Sequence, residues 1–327
     1  MTVLLTGAAG FIGMHVAEAL LGRGEAVLGV DNLNAYYDVR LKEARLARLQ
    51  GRKGFSFVRS DIAQPGALDA VIAADGGVDR IVHLAAQAGV RYSIENPGAY
   101  VTANLVGHAN VIEAARALGP RLRHLVYASS SSVYGGNTKL PFSVDDPVDR
   151  PVSLYAATKK ADELMSHAYA HMYGVASTGL RFFTVYGPWG RPDMSAWIFA
   201  ERILAGEPIP VFNRGDMRRD FTWIADIVAG VVAALDRPPA PNGAEAPHRL
   251  YNLGNHRSEE LLRFIALIEE AIGRKAVLDL LPMQPGDVQA TYAEIESSTA
   301  DLGFVPRTTI DEGIPVFIEW LRGWLGR

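Results

Sequence analysis

The sequence has no cysteine among its 327 residues. Disulfides, thiolate catalysis and cysteine-ligated metal sites are therefore excluded, and we expect no metal site of another kind. No run of 18 or more apolar residues occurs, so we expect no membrane association through a spanning segment. The net charge of −4 supplies no basic surface for nucleic acid. These absences favour a soluble, cytoplasmic protein.

The first half of the chain alternates between short apolar segments and segments of helical periodicity. Predicted strands cover 3–6, 26–31, 55–61, 80–86, 122–130 and 175–183. Predicted helices cover 11–24, 36–49, 65–74, 98–118 and 154–173, and the charged side chains of 36–49 are expected to face outward. Such alternation is typical of an α/β fold with a doubly wound parallel sheet. We predict this sheet domain over 1–180 and a smaller C-terminal α/β lobe over 181–327, with some later segments returning to the sheet domain.

A glycine-rich loop separates the first predicted strand from the first predicted helix. Gly7, Gly10 and Gly13 are spaced three apart. The first glycine permits a tight turn, the second a close approach to a pyrophosphate, and the third close packing of helix on strand. Asp31 ends the second strand and can accept hydrogen bonds from adenosine ribose hydroxyls, while it repels a 2′-phosphate. We therefore predict a Rossmann-type domain that binds NAD rather than NADP, the alternative being a purely structural turn.

Further positions at the ends of the first strands complete the predicted cofactor site. Asp61 follows the third strand, where its carboxylate either accepts from the adenine amino group or caps a helix. Small residues after the fourth strand would let a ligand lie against the strand ends. His83 lies inside that strand, and we interpret it as a core histidine. The remaining predicted cofactor-binding residues are Phe11, Ile12, Asn32, Ile62, Leu84, Ala85 and Ala86.

A tyrosine and a lysine begin the helix predicted at 154–173. Tyr155 and Lys159 are four residues apart and so share one face of the helix. An ammonium beside a phenol favours the phenolate, which can take a proton from an alcohol while hydride leaves the same carbon. A run of serines, 129–132, ends the preceding strand and offers a hydroxyl to hold that alcohol. A helical Tyr–Lys pair without consequence is the alternative, and the neighbouring dinucleotide loop favours catalysis.

Five segments, in chain order, resemble a known family: GAAGFIG, HLAAQAGVR, ASSSSVYG, YAATK and RDFT. They look like the extended short-chain dehydrogenase/reductase family, and more narrowly like its NAD-dependent nucleotide-sugar epimerases. The segments that look most like UDP-glucuronate 4-epimerases are DNLNAYYD, PVSLYAATKKADELM, LRFFTVYGPWGRPDM and MQPGD. The resemblance covers nearly the whole chain.

The resemblance implies roles for individual residues. Tyr155 would be the catalytic base, Lys159 would support it and bind the nicotinamide ribose, and Ser130 would complete the triad. The neighbouring Ser131 and Ser132 are expected to alternate along the strand end and to touch the sugar, and a shift of the catalytic serine by one position stays open. Related 4,6-dehydratases carry an acid pair in this run, and its absence here argues against water elimination.

The resemblance also implies a UDP-sugar substrate. Thr184 and Arg191 suit a uronic carboxylate, through a hydroxyl donor and a guanidinium fork. Arg219 would bind the diphosphate, Gln284 and Asp287 would meet the uridine, and Arg91 would face the sugar or the diphosphate unless its role is structural. The implied reaction is C4 epimerisation of UDP-glucuronate through a transient 4-keto sugar.

Three alternatives stay open beside that reaction. They are epimerisation of UDP-galactose or UDP-N-acetylgalactosamine, decarboxylation of UDP-glucuronate, and a non-catalytic NAD-sensing role. The family commonly forms homodimers, and the helices at 98–118 and after Tyr155 have apolar stretches that permit one.

Overall fold

The computed structural model describes residues 1–241, 245–284 and 286–326. Its centre is a seven-stranded parallel sheet with the order β11-β6-β5-β4-β1-β2-β3. The strands of this sheet are β1 Thr2–Thr6, β2 Ala26–Asp31, β3 Phe55–Arg59, β4 Val78–His83, β5 His124–Ser130, β6 Ser177–Phe182 and β11 His248–Leu253. The doubly wound parallel sheet predicted from the sequence is confirmed.

Helices cover both faces of the sheet. Apolar side chains of α1 and α9 pack on one face, and those of α3 and α6 pack on the other. The helices are α1 Phe11–Gly22, α2 Val39–Ala47, α3 Ala67–Asp75, α4 Tyr92–Glu95, α5 Pro97–Tyr100, α6 Gly107–Leu118, α7 Leu154–Tyr173, α8 Ser195–Ala205, α9 Ile224–Leu235, α10 Leu261–Ile272, α11 Glu296–Leu302 and α12 Ile310–Leu325. None of the helices within the described ranges is long and apolar enough to cross a membrane.

Short strand pairs and three helices form a smaller lobe beside the sheet. The pairs join β7 Thr184–Tyr186 to β10 Phe221–Trp223, β8 Ile209–Val211 to β13 Leu278–Leu280, and β9 Arg218–Arg219 to β12 Glu259–Glu260. The helices α8, α10 and α12 share an apolar core with these strands, in which the rings of Phe221 and Phe264 stack 3.8 Å apart. Strand β11 lies in the same C-terminal part of the sequence, but it belongs to the large sheet, where it pairs with β6.

The predicted helix over 98–118 is interrupted. Between α5 and α6 the chain makes a π-helix at Val101–Val106, a wider turn that periodicity does not reveal. This turn buries Asn104, whose Oδ1 accepts from the Gln87 amide at 2.8 Å. Its Nδ2 donates to the Gln87 carbonyl at 3.1 Å and to Thr158 Oγ1 at 3.0 Å. The irregular turn thus ties the loop after β4 to helix α7.

The carboxyl ends of the strands form one edge, and this edge carries the chemistry-bearing residues. In the sheet register Thr6 lies beside Val30 and His83, and Ser130 lies beside Phe182. Ligands of doubly wound sheets bind at this edge, where the loops that leave neighbouring strands diverge. The predicted core histidine, His83, is buried there with its Nδ1 2.7 Å from Thr6 Oγ1, and burial lowers its pKa to about 3.

Candidate active site

A cavity of about 430 Å³ opens at the carboxyl edge of the large sheet. Both catalytic candidates, Tyr155 and Lys159, line it. All the predicted cofactor-binding residues line it too: Gly7, Gly10, Phe11, Ile12, Gly13, Asp31, Asn32, Asp61, Ile62, Leu84, Ala85 and Ala86. Among the predicted substrate-binding residues the cavity is lined by Ser130, Ser131, Ser132, Thr184, Arg191, Arg219 and Asp287. Arg91 and Gln284 are not part of this lining.

The glycine loop fits a dinucleotide because two of its positions leave no room for a side chain. Gly7 has φ +75°, and a Cβ there would lie 2.7 Å from the Ala85 backbone nitrogen. A Cβ on Gly13 would lie 2.0 Å from the Gly7 carbonyl oxygen, whereas Gly22 at the other end of α1 has open space. The loop therefore brings backbone and the N-terminus of α1 directly to the cavity, where a pyrophosphate is favoured.

Carboxylates at the ends of β2 and β3 shape the adenosine end of the cavity. Asp31 accepts from the Ala9 amide at 3.1 Å and from the Leu33 amide at 2.8 Å. Asp61 accepts from the Ala63 amide at 2.9 Å and from Asn32 Nδ2 at 3.1 Å. Because α3 begins only at Ala67, Asp61 stabilises a turn, and the alternative of a helix cap is wrong.

Lys42 also lines the cavity, although the sequence pattern does not predict it there. The periodicity of 36–49 predicts that its charged residues face solvent, yet Lys42 is buried and donates to the Asn34 carbonyl at 2.9 Å and to Asn34 Oδ1 at 2.6 Å. Burial lowers the pKa of Lys42, and the nearby Asp31 carboxylate opposes that change. One feature of the sequence could have revealed this position: Lys42 directly follows the apolar Leu41, and both residues lie on the buried side of a short helix.

The first turn of α7 positions the two catalytic candidates. Ser153 caps the helix by accepting from the Ala156 amide at 3.1 Å. Lys159 is buried, and its Nζ donates to the Ala128 carbonyl at 2.9 Å and to Asp162 Oδ2 at 3.0 Å. The phenol ring of Tyr155 packs edge-on against Tyr100 at 6.0 Å. The Lys159 ammonium thus contacts the end of β5, and both candidate side chains line the cavity.

The serine run does not continue as a strand. Strand β5 ends at Ser130, and the next residues form a 3₁₀-helix at Ser131–Tyr134, so the expected strand-like alternation of Ser131 and Ser132 is wrong. Ser129 donates its hydroxyl proton to Glu163 Oε1 at 2.7 Å. Ser130 donates to Ser132 Oγ at 3.1 Å and accepts from the Ser132 amide at 3.1 Å. With Ser129 bound to a buried carboxylate, Ser130 stays the predicted partner of Tyr155.

Arg191 is held by an acid two residues further along the chain. Its Nε donates to Asp193 Oδ1 at 2.9 Å, and Tyr36 donates its hydroxyl proton to Asp193 Oδ2 at 3.1 Å. Burial opposes the charge on Arg191, but Asp193 outweighs it and raises the Arg191 pKa. Burial likewise opposes the Asp193 charge, and Arg191 keeps the Asp193 pKa below its usual value. Arg191 therefore stays a cation in the cavity that the predicted sugar-binding residue Thr184 also lines.

The residues predicted for the diphosphate and uridine separate into two groups. Arg219 Nη2 donates to Asp287 Oδ1 at 2.6 Å, and both side chains reach the cavity. Arg91 is exposed and stacks over the Phe212 ring, 4.5 Å from its centre. Gln284 is only partly buried and remains away from the lining, so its contact with uridine, like that of Arg91 with the sugar, stays a prediction.

Arg45 joins the cofactor loop to the loop that carries Arg191. Its side chain is fully buried and donates to the Ala9 carbonyl at 3.3 Å and to the Tyr37 hydroxyl at 2.6 Å. It also donates to the carbonyls of Trp189, at 2.6 Å and 3.0 Å, and of Gly190, at 2.9 Å. No carboxylate in the described part of the chain pairs with it. Burial lowers its pKa. Like Lys42, Arg45 contradicts the expectation of outward-facing charges.

Comparison with known proteins agrees with this geometry. The model of the NAD dependent epimerase/dehydratase family matches residues 3–254. The chain belongs to this family. It is 49% identical over 333 residues to a probable UDP-glucuronate 4-epimerase of Rhizobium meliloti, covering 98% of this chain and 96% of that relative. It is 45% identical over 338 residues to UDP-glucuronate 4-epimerase 5 of Arabidopsis thaliana, covering 99% of this chain and 76% of that relative.

A solved structure extends the similarity to three dimensions. The crystal structure of the Bacillus cereus UDP-glucuronic acid 4-epimerase with UDP-glucuronic acid and NAD superimposes with a TM-score of 0.91 at 31% identity. The match covers 99% of this chain and 100% of that chain. The predicted family and Rossmann-type fold are confirmed, and NAD is the cofactor with which such relatives are crystallised.

Replacing Arg45 by methionine should destabilise the protein strongly. The change leaves the carbonyls of Ala9, Trp189 and Gly190 without their donor in a buried site, at roughly 1–3 kcal/mol for each unsatisfied group. We expect a loss of unfolding free energy of about 3 kcal/mol or more, measured by urea denaturation. Arg48→Met is the matched control, because Arg48 pairs with Glu18 at the surface and should change stability by less than about 1 kcal/mol. Equal stability of the two variants would contradict a fastening role for Arg45.

Proposed function

We propose that this protein is an NAD-dependent 4-epimerase that interconverts UDP-glucuronate and UDP-galacturonate. The observation that carries the proposal is a cavity that combines a dinucleotide cradle, the Tyr155–Lys159 pair and a partly buried arginine, Arg191. The names of the similar proteins from Rhizobium meliloti and Bacillus cereus support the same substrate. Epimerisation at C4 needs a base, a redox cofactor and a site that holds the sugar in two orientations.

The residues of the chain have separate roles in this reaction. Tyr155 takes the proton of the sugar 4-OH, and Lys159 favours its phenolate by the charge of the buried ammonium. Ser130 donates a hydrogen bond to O4 as it becomes a carbonyl. NAD, held by the glycine loop and Asp31, would accept the hydride of C4 and supply it again to the opposite face. The 4-keto sugar turns about its diphosphate link while Arg219 holds the diphosphate, and Tyr155 then gives the proton back to O4, which completes the epimeric alcohol.

A uronic acid poses a chemical problem that neutral sugars do not. Oxidation at C4 places a ketone two carbons from the carboxylate carbon, and such a β-keto acid loses carbon dioxide readily. An epimerase must keep the breaking bond poorly aligned with the ketone. Thr184 and Arg191 line the same cavity and offer a hydroxyl and a guanidinium to fix the carboxylate. We assign these two residues the role of preventing decarboxylation.

The same cavity argues against the alternative substrates and activities. UDP-galactose and UDP-N-acetylgalactosamine carry no carboxylate, so an arginine held as a cation in the cavity would gain nothing from them. A decarboxylase must let the carboxylate align with the ketone, whereas Asp193, itself bound by Tyr36, fixes Arg191 in position. A non-catalytic NAD-sensing protein has no use for a base paired with a buried lysine.

The direct test is a product assay on the purified protein. We expect NAD to be released on denaturation, because NAD is regenerated in each cycle and can remain bound. We also expect the protein to convert UDP-glucuronate to UDP-galacturonate at least tenfold faster than it converts UDP-glucose to UDP-galactose, with the products separated by chromatography. Tyr155→Phe should abolish both conversions while NAD stays bound. Turnover of UDP-glucose alone would refute the uronate proposal.

Replacing Arg191 by alanine should weaken the binding of UDP-glucuronate and allow its 4-keto intermediate to lose carbon dioxide. Loss of charge-assisted hydrogen bonds predicts a KM for UDP-glucuronate raised by roughly 10- to 100-fold. The freed carboxylate should give UDP-linked pentose products, measured by mass spectrometry of the reaction mixture. Arg191→Lys keeps the charge without the fork and should lie between wild type and alanine. Arg202→Ala, on the exposed side of α8, is the control. Unchanged KM together with no pentose product would remove Arg191 from this role.

We propose that two copies of the chain form a homodimer through the π-helix segment and α7. Large apolar side chains are exposed on both: Val101 and Val106 at 43% each, Leu164 at 58% and Met172 at 56%. Patches of this kind on soluble proteins mark interaction surfaces. Light scattering should therefore give twice the 35.4 kDa mass of the chain, and Leu164→Glu should return it to a monomer. A monomeric wild type would contradict the proposal.

A further inference from the structure

Helix α7 carries a third charged residue on the face that bears the catalytic pair. Asp162 follows Tyr155 by seven residues and Lys159 by three, and positions i, i+4 and i+7 share one helix face. Asp162 is 0% exposed and Lys159 is 2% exposed. The Lys159 Nζ lies 3.0 Å from Asp162 Oδ2. The catalytic ammonium is thus half of a buried ion pair.

Asp162 is the acid that balances Lys159, because the neighbouring acid is already engaged. Glu163 accepts from Arg181 Nε at 2.8 Å, from Arg181 Nη2 at 2.9 Å and from the Ser129 hydroxyl at 2.7 Å. No other carboxylate in 1–241, 245–284 or 286–326 lies within ion-pair distance of Lys159. The charge of the ammonium is therefore offset mainly by Asp162.

The other titratable groups around the pair are neutral near pH 7. His83 of β4 and His108 of α6 face it, and burial lowers the pKa of His83 to about 3 and that of His108 well below its ordinary value. Tyr127 of β5 faces it as well, and burial raises its pKa well above the usual range. Apart from Tyr155, the charge that acts on the pair is therefore that of Glu163.

The carboxylate of Asp162 is only partly satisfied. Its Oδ1 is buried and finds no hydrogen-bond donor in the part of the chain that the structure describes. Burial raises the pKa of Asp162 to about 6, although Lys159 opposes this shift. Burial also opposes the charge of Lys159, but Asp162 outweighs it and the Lys159 pKa is raised. Each charge of the pair is therefore maintained by the other.

We propose that Asp162 is a positioning residue that holds the buried Lys159 side chain in its charged form against the Ala128 carbonyl, and so keeps a cation on the helix face that bears Tyr155. Without the carboxylate the buried amine would lose its charge, and the phenolate of Tyr155 would lose the cation that favours it. This inference rests on the proposed function, in which Tyr155 is the base.

Asp162→Asn tests the proposal in the NAD-bound protein, since it keeps the shape of the side chain and removes its charge. Loss of the carboxylate charge leaves the buried Lys159 amine without its partner, so the amine loses its charge and the phenol loses the neighbouring cation. The acid limb of kcat should therefore move to higher pH by on the order of one unit. KM should stay unchanged, because Asp162 does not line the cavity. Asp149→Asn removes the same charge at an exposed position and should leave both parameters unchanged.

A second readout needs no substrate. The tyrosinate absorbance of the NAD-bound protein, minus that of the corresponding Tyr155→Phe variant, reports ionisation of Tyr155 alone and should shift with kcat. If the asparagine variant does not fold, Asp162→Ser is measured in the same way. An unchanged or lower pH midpoint would refute the role of Asp162 in keeping Lys159 charged. Failure of wild type to convert UDP-glucuronate would refute the proposed function instead, and the absorbance titration would still decide the role of Asp162.

Discussion

The buried guanidinium of Arg45 is the constraint on which the geometry of the site depends. It donates to a carbonyl of the glycine loop and to two carbonyls of the loop that leads into Arg191. These two loops are distant in the sequence. Hydrogen bonds from one planar guanidinium hold their backbones at a fixed distance. The cofactor cradle and the carboxylate site therefore keep one relative position.

Charges inside the cavity follow a consistent arrangement. Two of the predicted catalytic and binding cations are paired with an acid close to them in sequence, Lys159 with Asp162 and Arg191 with Asp193, whereas Arg219 pairs with the distant Asp287. A buried cation without a partner would lose its charge or destabilise the fold. A partner three or two residues away moves with the cation, so the pair survives small movements of the loops. The acids also reduce the charge that the cations direct at a substrate.

Local patterns predicted much of this molecule, because they depend on short-range geometry. The strand–glycine loop–helix unit and the Tyr155–Lys159 pair follow from sterics and from helix periodicity, and these residues do line one cavity. The π-helix and the inward turn of Lys42 and Arg45 were not predictable in this way. Their cause lies in partners distant in sequence: Thr158 for Asn104, and Trp189 for Arg45. Helical periodicity alone assigns a charged residue to the solvent-exposed face, because it contains no information about hydrogen-bond acceptors that are distant in sequence.

Asp162 shows which properties of a residue can be recognised from its sequence neighbours and which depend on the fold. Its spacing from Lys159 is visible in the sequence, but an i, i+3 acid–base pair on a helix is most often a solvated surface pair of little energetic value. Only the packing of β4, β5 and α6 over this face buries the pair and removes the solvent that would screen it. The same two residues then acquire an electrostatic effect on Tyr155. The chemistry of the site is thus decided less by which charged residues are present than by which of them the fold isolates from water.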